Sequence, residues 1–328
     1  MRPMGAQWHH RMDQRGVALL LVLWVLTALT GIVFTFSVMV RADSASALAF
    51  RDDVEKRHLA AAGLERAAME IYYRSVNKGQ SIILEGREIW RLDGTTYREK
   101  LGAGSYAVRI TDESGKIDLN SLTDASGIVL KNLLIQLGVS GEDADVIVDS
   151  VLDWKDADNL VRLHGAEDDY YMALAKPYKA KNENFETLEE LLLVRGVTPE
   201  IFYGTEDHKG LLQFVTVYGK TQRINIASAS REVLAALPNM TPERADQIIE
   251  RRNTDAALKL EDFRDIFGAD YAAVSPYIGM DDSGVYSVES AGFKDEGKSG
   301  YGIQATGIAD KPARLRYLSY RSPSGWKP

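Results

Sequence analysis

The stretch "DQRGVALLLVLWVLTALTGIVFTFSVMVRAD", residues 13–43, decides the fold of this chain. A short polar head ends in Arg15-Gly16, and residues 17–40 then form an uncharged run of 24 residues. A helix of this length reaches roughly 36 Å, which exceeds the ~30 Å hydrocarbon core of a bilayer. The run is also longer than the roughly 7–15 apolar residues of a secretory signal. We therefore expect residues 17–40 to cross a membrane once.

The flanks of this run predict its orientation. The head carries Arg2, Arg11 and Arg15 against one acid, Asp13. Because positive flanks stay in the cytoplasm, the residues after Val40 should lie outside, in a periplasm if the cell has one. A small-residue site at residues 45–47 keeps conventional signal cleavage open. In that alternative the mature protein would be a secreted hydrolase.

The helix is predicted to continue well beyond the apolar run. Residues 41–77 contain no proline and read "RADSASALAFRDDVEKRHLAAAGLERAAMEIYYRSVN", and Lys78-Gly79 after them is a plausible C-terminal stop. A single apolar stripe recurs at helical spacing, comprising Phe50, Val54, Ala61, Leu64, Ala68 and Ile71. We expect one helix of about 60 residues, whose amphipathic second half packs on a globular domain.

Strand patterns flank a helical region. In residues 104–122, Tyr106, Val108 and Ile110 alternate with small or polar side chains, which predicts a half-buried strand. Near the end, "GVYSVESAGF", "SGYGIQATGIAD" and "ARLRYLSYRS" predict three antiparallel strands. Residues 122–280 between them are mostly helical in pattern. The fold class is therefore α+β, with a large helical domain inserted between strands.

The helical region contains an internal echo. "VSGEDADVIVDSVLDWKD" (139–156) resembles "MTPERADQIIERRNTDA" (240–256), and "FETLEELLLVRGVTPEIFYG" (185–204) is a partial third copy. Such units resemble helix-hairpin-helix readers of the DNA backbone, whose paired hairpin glycines point amides at a phosphate. The hairpins at 137–139, 195–197 and 238–240 lack that pair, and the chain carries a net charge of −8. We expect packing units and no nucleic-acid binding; a membrane-tethered nucleic-acid-binding protein is the alternative function.

Carboxylates are densest in "DSVLDWKDADNLVRLHGAEDDYY", residues 149–171. Crowded carboxylates repel one another unless they are solvated, paired with a base or bridged by a cation. Calcium takes six to eight oxygen ligands, so it suits such a loop. The alternative is a solvated acidic loop with Arg162 as local partner. Enzyme motifs are absent from the sequence: it has no cysteine, no His-Glu-x-x-His motif, no Gly-x-Ser-x-Gly elbow and no phosphate loop.

These parts together resemble a known family. The basic leader ending in Gly16, the unbroken helix and the closing strands resemble a type IV pilin-like precursor. "GKIDLN", "DWKDADNLVRLHGAEDDYY", "ETLEELLLVRGVT" and "INIASASREVLAAL" are similar to the K-type minor pseudopilins of type II secretion. The resemblance implies a pilin-like fold, in which a long N-terminal helix packs on an antiparallel sheet. The expected division is a leader (1–16), a transmembrane segment (17–40), a first pilin part (41–121), the inserted helical domain (122–280) and the C-terminal strands (281–328).

The resemblance also implies roles for particular residues. A prepilin peptidase would cut after Gly16 and methylate Val17. Leu21 would then be the fifth residue, where most pilin-like proteins have Glu, and its lack of charge favours a place at the fibre tip. K-type pseudopilins bind calcium, which assigns ligands within residues 153–168: Asp153, Asp156, Asp158, Glu167 and Asp168.

The implied partners are the I- and J-type minor pseudopilins and the major G-type pseudopilin. The implied location is the inner membrane, with the N-terminus cytoplasmic and the C-terminal domain periplasmic. The role would be to help start assembly of the fibre that exports folded proteins across the outer membrane, without enzymatic activity.

Overall fold

The computed structural model describes residues 14–77, 90–254, 258–295, 299–311 and 314–326, with backbone alone for 14–16 and 310–311. Most of the expected leader, and the Lys78-Gly79 helix stop, lie outside the described residues. The chain divides into two compact units, Met1–Glu55 and Lys56–Pro328. Helix α1, Gln14–Val76, contributes residues to both.

The part of α1 in the first unit carries the apolar run. Within the described residues it is the one helix that is long and apolar enough to cross a membrane. None of its most apolar 18-residue stretch is buried against the rest of the protein. Its three threonine hydroxyls, on Thr27, Thr30 and Thr35, each donate to a carbonyl one turn back at 2.7–2.9 Å. Because those hydroxyls are satisfied within the helix, they do not oppose burial of the segment in hydrocarbon.

The part of α1 in the second unit buries one face. Leu64, Ala68 and Ile71 of the predicted stripe are buried, but Phe50 is 72% exposed, so the stripe was wrong at that end. The prediction used helical spacing alone, and this spacing continues toward the N-terminus beyond the residues that are buried. Gly63 sits where the helix packs tightly on the sheet, because a Cβ there would collide with Ser290 Oγ.

Among the described residues, one antiparallel sheet has five strands in the order β1 (Asp93–Leu101), β2 (Gly104–Asp112), β7 (Val285–Phe293), β8 (Tyr301–Lys311) and β9 (Arg314–Ser324). The alternating side chains Tyr106, Val108 and Ile110 of β2 are buried in the core shared with α1, as the pattern predicted. The edge strand β1 was missed, because "DGTTYREKL" has no apolar alternation.

A second, larger core lies in the insert between β2 and β7. Its short strands pair in parallel, β3 with β4 and β5 with β6. These strands are Ile117–Asp118, Val215–Thr216, Ile224–Asn225 and Ile278–Gly279. The helices α2 to α9 are Gly127–Gln136, Gly141–Lys155, Asp168–Met172, Pro199–Tyr203, Arg231–Ala235, Pro242–Thr254, Arg264–Phe267 and Tyr271–Val274. Short 3-10 turns span Glu113–Gly115, Leu188–Leu193, Leu211–Gln213, Leu260–Phe263, Gly268–Asp270 and Ser275–Tyr277.

The insert begins earlier than the predicted boundary at residue 122. Ile117 and Leu119 belong to its core, not to the core under the sheet. Ile117 also pairs with Val215, deep in the same region. The first pilin part therefore ends with β2 at Asp112, because the residues after it bury their side chains in the insert.

The three echoing segments share one local geometry. Their hairpins place Gly138, Gly196 and Asn239 at φ of 91°, 86° and 58°. In each, the second residue after this position is Ser or Thr, whose hydroxyl accepts a backbone N–H of the next helix. The left-handed position favours Gly, and Asn is the side chain that best replaces it. The third hairpin therefore keeps the turn although its sequence has no glycine.

Buried polar bonds tie the insert to the sheet. Arg252 of α7 is almost fully buried and donates to the carbonyls of Ile226 and Ala229 at 3.0 and 2.6 Å. Its other guanidinium nitrogen lies 3.4 Å from the carboxylate of Asp93 on β1. Burial lowers the pKa of Arg252. Asp112, at the end of β2, accepts hydrogen bonds from Ser283 Oγ at 2.6 Å and from Asn225 at 3.3 Å.

Candidate metal centre

The acidic loop begins where α3 ends. Ser140 caps the start of this helix, and Asp156 is its C-terminal cap. The chain then returns past the helix end to Glu167, which precedes α4. Gly165 makes this return possible, because a Cβ there would lie 1.9 Å from Asp153 Oδ2. The loop path therefore brings residues from both of its ends together.

Three of the predicted ligands converge. Asp156, Asp158 and Glu167 each offer a carboxylate oxygen, and these oxygens all lie within 4.8 Å of one another. Glu167 is 2% exposed, whereas Asp158 is open to solvent. Both carboxylate oxygens of Glu167 and Oδ1 of Asp156 are buried and receive no hydrogen bond from the described residues.

The electrostatics of Glu167 follow from this placement. Its pKa is raised from 4.5 to about 7, first by burial and then by the nearby carboxylates, Asp153 first among them. A buried carboxylate without a donor is costly in its charged form. A bound cation would remove that cost, because it supplies the missing positive partner.

The other two predicted ligands are bonded elsewhere. Asp153 is fully buried and accepts from Arg162 Nη1 at 2.7 Å. Burial raises the pKa of Asp153, and its bonds with Arg162 oppose that rise. Asp168 accepts from the Ala180 amide at 3.0 Å and from Lys179 at 2.9 Å. The five predicted residues therefore divide into a cluster of three and two structural carboxylates.

Arg162 is the local basic partner that the sequence offered as an alternative to a cation. It bonds Asp156 at 2.5 Å and Asp124 at 3.0 Å, in addition to Asp153. One guanidinium thus neutralises part of the loop and leaves Glu167 without a donor. Arg162 therefore pairs with Asp124, Asp153 and Asp156, and a cation at Asp156, Asp158 and Glu167 stays a prediction.

Two residues near the cluster were missed from the sequence. Asp124 precedes α2 and reaches the loop through Arg162. The Asn182 amide nitrogen donates to the Asp158 carbonyl at 3.1 Å, and its Oδ1 is buried without a donor among the described residues. Both residues lie outside the acidic motif in the sequence, so no sequence pattern indicated that they would be close to it in the fold.

The donor set fits a hard divalent cation. All three converging groups are carboxylates, which calcium prefers, and each offers one oxygen to the cluster. The cluster contains neither sulfur nor imidazole, so it does not resemble a zinc site.

The predicted processing residues lie in α1. Gly16 is helical in its backbone, and Val17 and Leu21 present exposed side chains in the first unit. Cleavage and methylation there stay predictions.

The arginines of the last helical unit are already paired with acids. Arg231 bonds Asp246 and Arg244 bonds Asp270, at 2.6 and 2.8 Å. Arg251 bonds Asp265. These side chains are therefore engaged within the protein, and they do not support the phosphate-binding alternative.

Comparisons with known proteins point to a single family. Two family models, both described as "Type II secretion system (T2SS), protein K", match residues 115–220 and 224–279. A type II secretion system protein K of Pseudomonas aeruginosa is 31% identical over 269 residues, covering 77% of each chain. A putative protein K of Escherichia coli K12 is 23% identical and covers 81% of this chain and 83% of its own length.

A solved structure has the same fold. It is a chain of the crystal structure of the GspK-GspI-GspJ complex from the type 2 secretion system of enterotoxigenic Escherichia coli. The likeness has a TM-score of 0.54 at 18% identity and covers 87% of this chain and 99% of that one. The pilin-like α+β fold with an inserted domain is thereby confirmed. The Pseudomonas relative and the two family matches show that this chain belongs to the protein K family of the type II secretion system.

Proposed function

We propose that this chain is the minor pseudopilin at the tip of the type II secretion pseudopilus. Its work there is to help start fibre assembly and export of folded proteins across the outer membrane. The observation that carries the proposal is the insert, residues 113–284, which interrupts a pilin-like sheet between β2 and β7. A domain with its own core at this position would obstruct stacking of another subunit above it.

Leu21 supports the same place in the fibre. It is the fifth residue after Gly16 and lies in the apolar segment of α1. In most pilin-like proteins Glu at that position meets the terminal amine of the subunit above, since an unpaired carboxylate in hydrocarbon is costly. A subunit with Leu21 has no such requirement and can sit first.

The partners we propose are the I- and J-type minor pseudopilins, with the major G-type pseudopilin below. The related chain was crystallised as a GspK-GspI-GspJ complex, which supports the first two. Before assembly, residues 17–40 would anchor the chain in the inner membrane, with the globular unit in the periplasm. In this role the chain is a structural subunit and not an enzyme.

The position in the fibre can be tested by labelling. An epitope at the C-terminus of the full chain, imaged by immuno-electron microscopy on assembled pseudopili, should mark one end of each fibre. Labels spaced along the shaft would contradict the tip assignment. The G-type pseudopilin, labelled in the same way, is the control and should mark the whole shaft.

The processing proposal has a separate test. Mass spectrometry of the mature protein should find an N-methylated Val17 as the first residue. A start near residues 46–50 would instead support the secreted-protein alternative. Titration of the full chain with duplex DNA across a range of salt checks the other alternative, because DNA binding by basic groups is salt-sensitive.

Calcium is proposed as the cation held by Asp156, Asp158 and Glu167. Calorimetric titration of the chelator-treated full chain in detergent should show binding that weakens at least about tenfold in Glu167→Gln. Asp149→Asn is the matched control, because Asp149 bonds His164 and lies outside the converging cluster. Equal affinities in wild type and Glu167→Gln would remove Glu167 from the site.

A further inference from the structure

The acidic loop presents an apolar surface that neither family membership nor the metal cluster explains. Leu160, Val161 and Leu163 are 76%, 58% and 89% exposed. Single exposed aliphatic side chains are common on protein surfaces. Three within four consecutive residues, on a loop without helix or strand, form a contiguous apolar projection. We call these three side chains the apolar knob.

Hydrogen bonds to acidic side chains hold the backbone that carries the apolar knob. The Leu160 amide donates to Asp158 Oδ1 at 2.8 Å, and the His164 amide donates to Asp149 at 3.0 Å. Between them, the Arg162 guanidinium binds Asp153 and Asp156. The polar groups of the loop thus point inward, and the aliphatic side chains are held outward. A pre-ordered surface of this kind loses little conformational entropy when a partner binds.

The shape of the knob restricts its partner. Side chains that are three-quarters or more exposed project away from the protein, so a flat surface would cover only their tips. Burial of Leu160 and Leu163 requires a concave, apolar receptor, since the gain in free energy follows the apolar area removed from water. A second protein with a cleft meets that requirement.

Charge restricts the partner further. The carboxylates of Asp124, Asp153, Asp156, Asp158 and Glu167 surround the loop, and Arg162 is the base bonded among them. Asp153 and Glu167 are buried, so the negative charge that a partner's rim would meet comes from the exposed carboxylates of Asp124 and Asp158. A receptor is favoured when its rim carries the opposite sign. Anionic lipid headgroups would be repelled.

We propose that the apolar knob docks in an apolar cleft of another protein, one whose rim carries lysine or arginine. The proposal goes beyond a structural role at the fibre tip, and it does not require the calcium assignment. It makes residues 160–163 a contact site of this subunit toward a basic-rimmed protein.

Site-specific photo-crosslinking tests the proposal in the full chain. A benzophenone amino acid replaces Leu163 in cells that secrete through the assembled system, and mass spectrometry maps the crosslinked peptide. The expected product joins Leu163 to a protein segment that lines an apolar cleft flanked by lysine or arginine. The control places the probe at Leu101, which is 48% exposed at the end of β1. It should not give this product.

Matched substitutions complete the test. Leu160→Asn should lower the crosslink yield about tenfold, as expected for loss of a central apolar contact, and Leu101→Asn should leave it unchanged. Both variants should melt as wild type does, because both side chains are exposed. Replacing the lysine or arginine residues beside the mapped peptide with glutamate should also lower the crosslink yield. Crosslinks to lipid alone, to a second copy of this chain alone, to an acidic or flat surface, or to nothing would each overturn the proposal.

Discussion

Glu167 is the residue at which fold and chemistry conflict most. Its carboxylate is buried without a hydrogen-bond donor from the described residues, and four neighbouring acids are close enough to raise its pKa. Glu167 is the residue directly before α4, so the path of the chain into this helix places its side chain in the buried position. Without a metal, burial and the neighbouring acids favour the protonated form of this carboxylate. A bound cation would favour its charged form.

The pH dependence of stability should show this conflict. The pKa of Glu167 rises from 4.5 to about 7 in the folded protein. Between those values the folded state binds more protons than the unfolded state, so the free energy of unfolding falls as pH rises. In chelator, we expect the melting temperature of wild type to decline across this window and the decline to flatten in Glu167→Gln. Glu206→Gln, on an exposed loop, is the control, and identical profiles for wild type and Glu167→Gln would contradict the assignment.

Gly165 gives a second prediction at the scale of one residue. A methyl group there would collide with the buried carboxylate of Asp153. Overpacking of this kind costs about 1–3 kcal/mol, so Gly165→Ala should lower the free energy of unfolding by that amount. Gly141→Ala is the control, because its Cβ would meet open space in the first turn of α3. It should leave stability unchanged or raise it by up to about 1 kcal/mol. Equal effects of the two changes would contradict the contact.

The sequence predicted the composition of the acidic site better than its geometry. It named Asp156, Asp158 and Glu167 among five candidate ligands because their residue type and crowding are visible in the motif, and their role as ligands stays a prediction. It could not separate them from Asp153 and Asp168, since that depends on which carboxylate Arg162 reaches and on the loop at 179–180. Such partners are fixed by the path of the chain and not by spacing along it.

At the scale of elements, periodicity predicted what is strongly amphipathic and missed what is not. The strand around Val108 was found because apolar and polar residues alternate, and the three C-terminal strands because clusters of turn-forming residues separate them. Strand β1 was missed because a sheet edge needs no apolar pattern. The stripe of α1 failed at Phe50, because a repeat in the sequence does not reveal where the buried face ends.

The hairpin of the third helical unit allows a test at this scale. Asn239 adopts φ of 58°, a conformation that costs most other residues roughly 1–2 kcal/mol. Asn239→Gly should leave the free energy of unfolding within about 1 kcal/mol of wild type, and Asn239→Ala should lower it by about 1–2 kcal/mol. Chemical denaturation of the full chain measures both. A more stable Asn239→Ala would show that the left-handed turn is not required.

At the scale of the molecule, the junction between sheet and insert makes the second unit a single body. Its central member is Arg252, whose guanidinium satisfies two carbonyls of the insert and faces Asp93 on the sheet. Arg251, the next residue, pairs with Asp265 at the surface. Arg252 therefore belongs to the buried junction, whereas its neighbour Arg251 forms an exposed ion pair.

Substitution of these neighbours should have unequal effects. Arg252→Met removes the donor of two carbonyls and the cation beside the buried Asp93 carboxylate, which should cost about 3–5 kcal/mol. Arg251→Met removes an exposed pair, worth at most about 1 kcal/mol. Differential scanning calorimetry should show a large fall in melting temperature for the first variant alone. Similar falls for both would mean that Arg252 does not hold the junction.

The position of the insert also sets the order in which the chain can fold. Strands β2 and β7 are hydrogen-bonded neighbours, yet Asp112 ends one and Val285 begins the other. Closing so long an unfolded loop is entropically unfavourable and slow. A folded insert removes that barrier, because its own core brings the two ends together at Asp112 and Ser283. We therefore expect strands β2 and β7 to pair after the insert has folded, and the rate of that pairing to fall when the insert is destabilised.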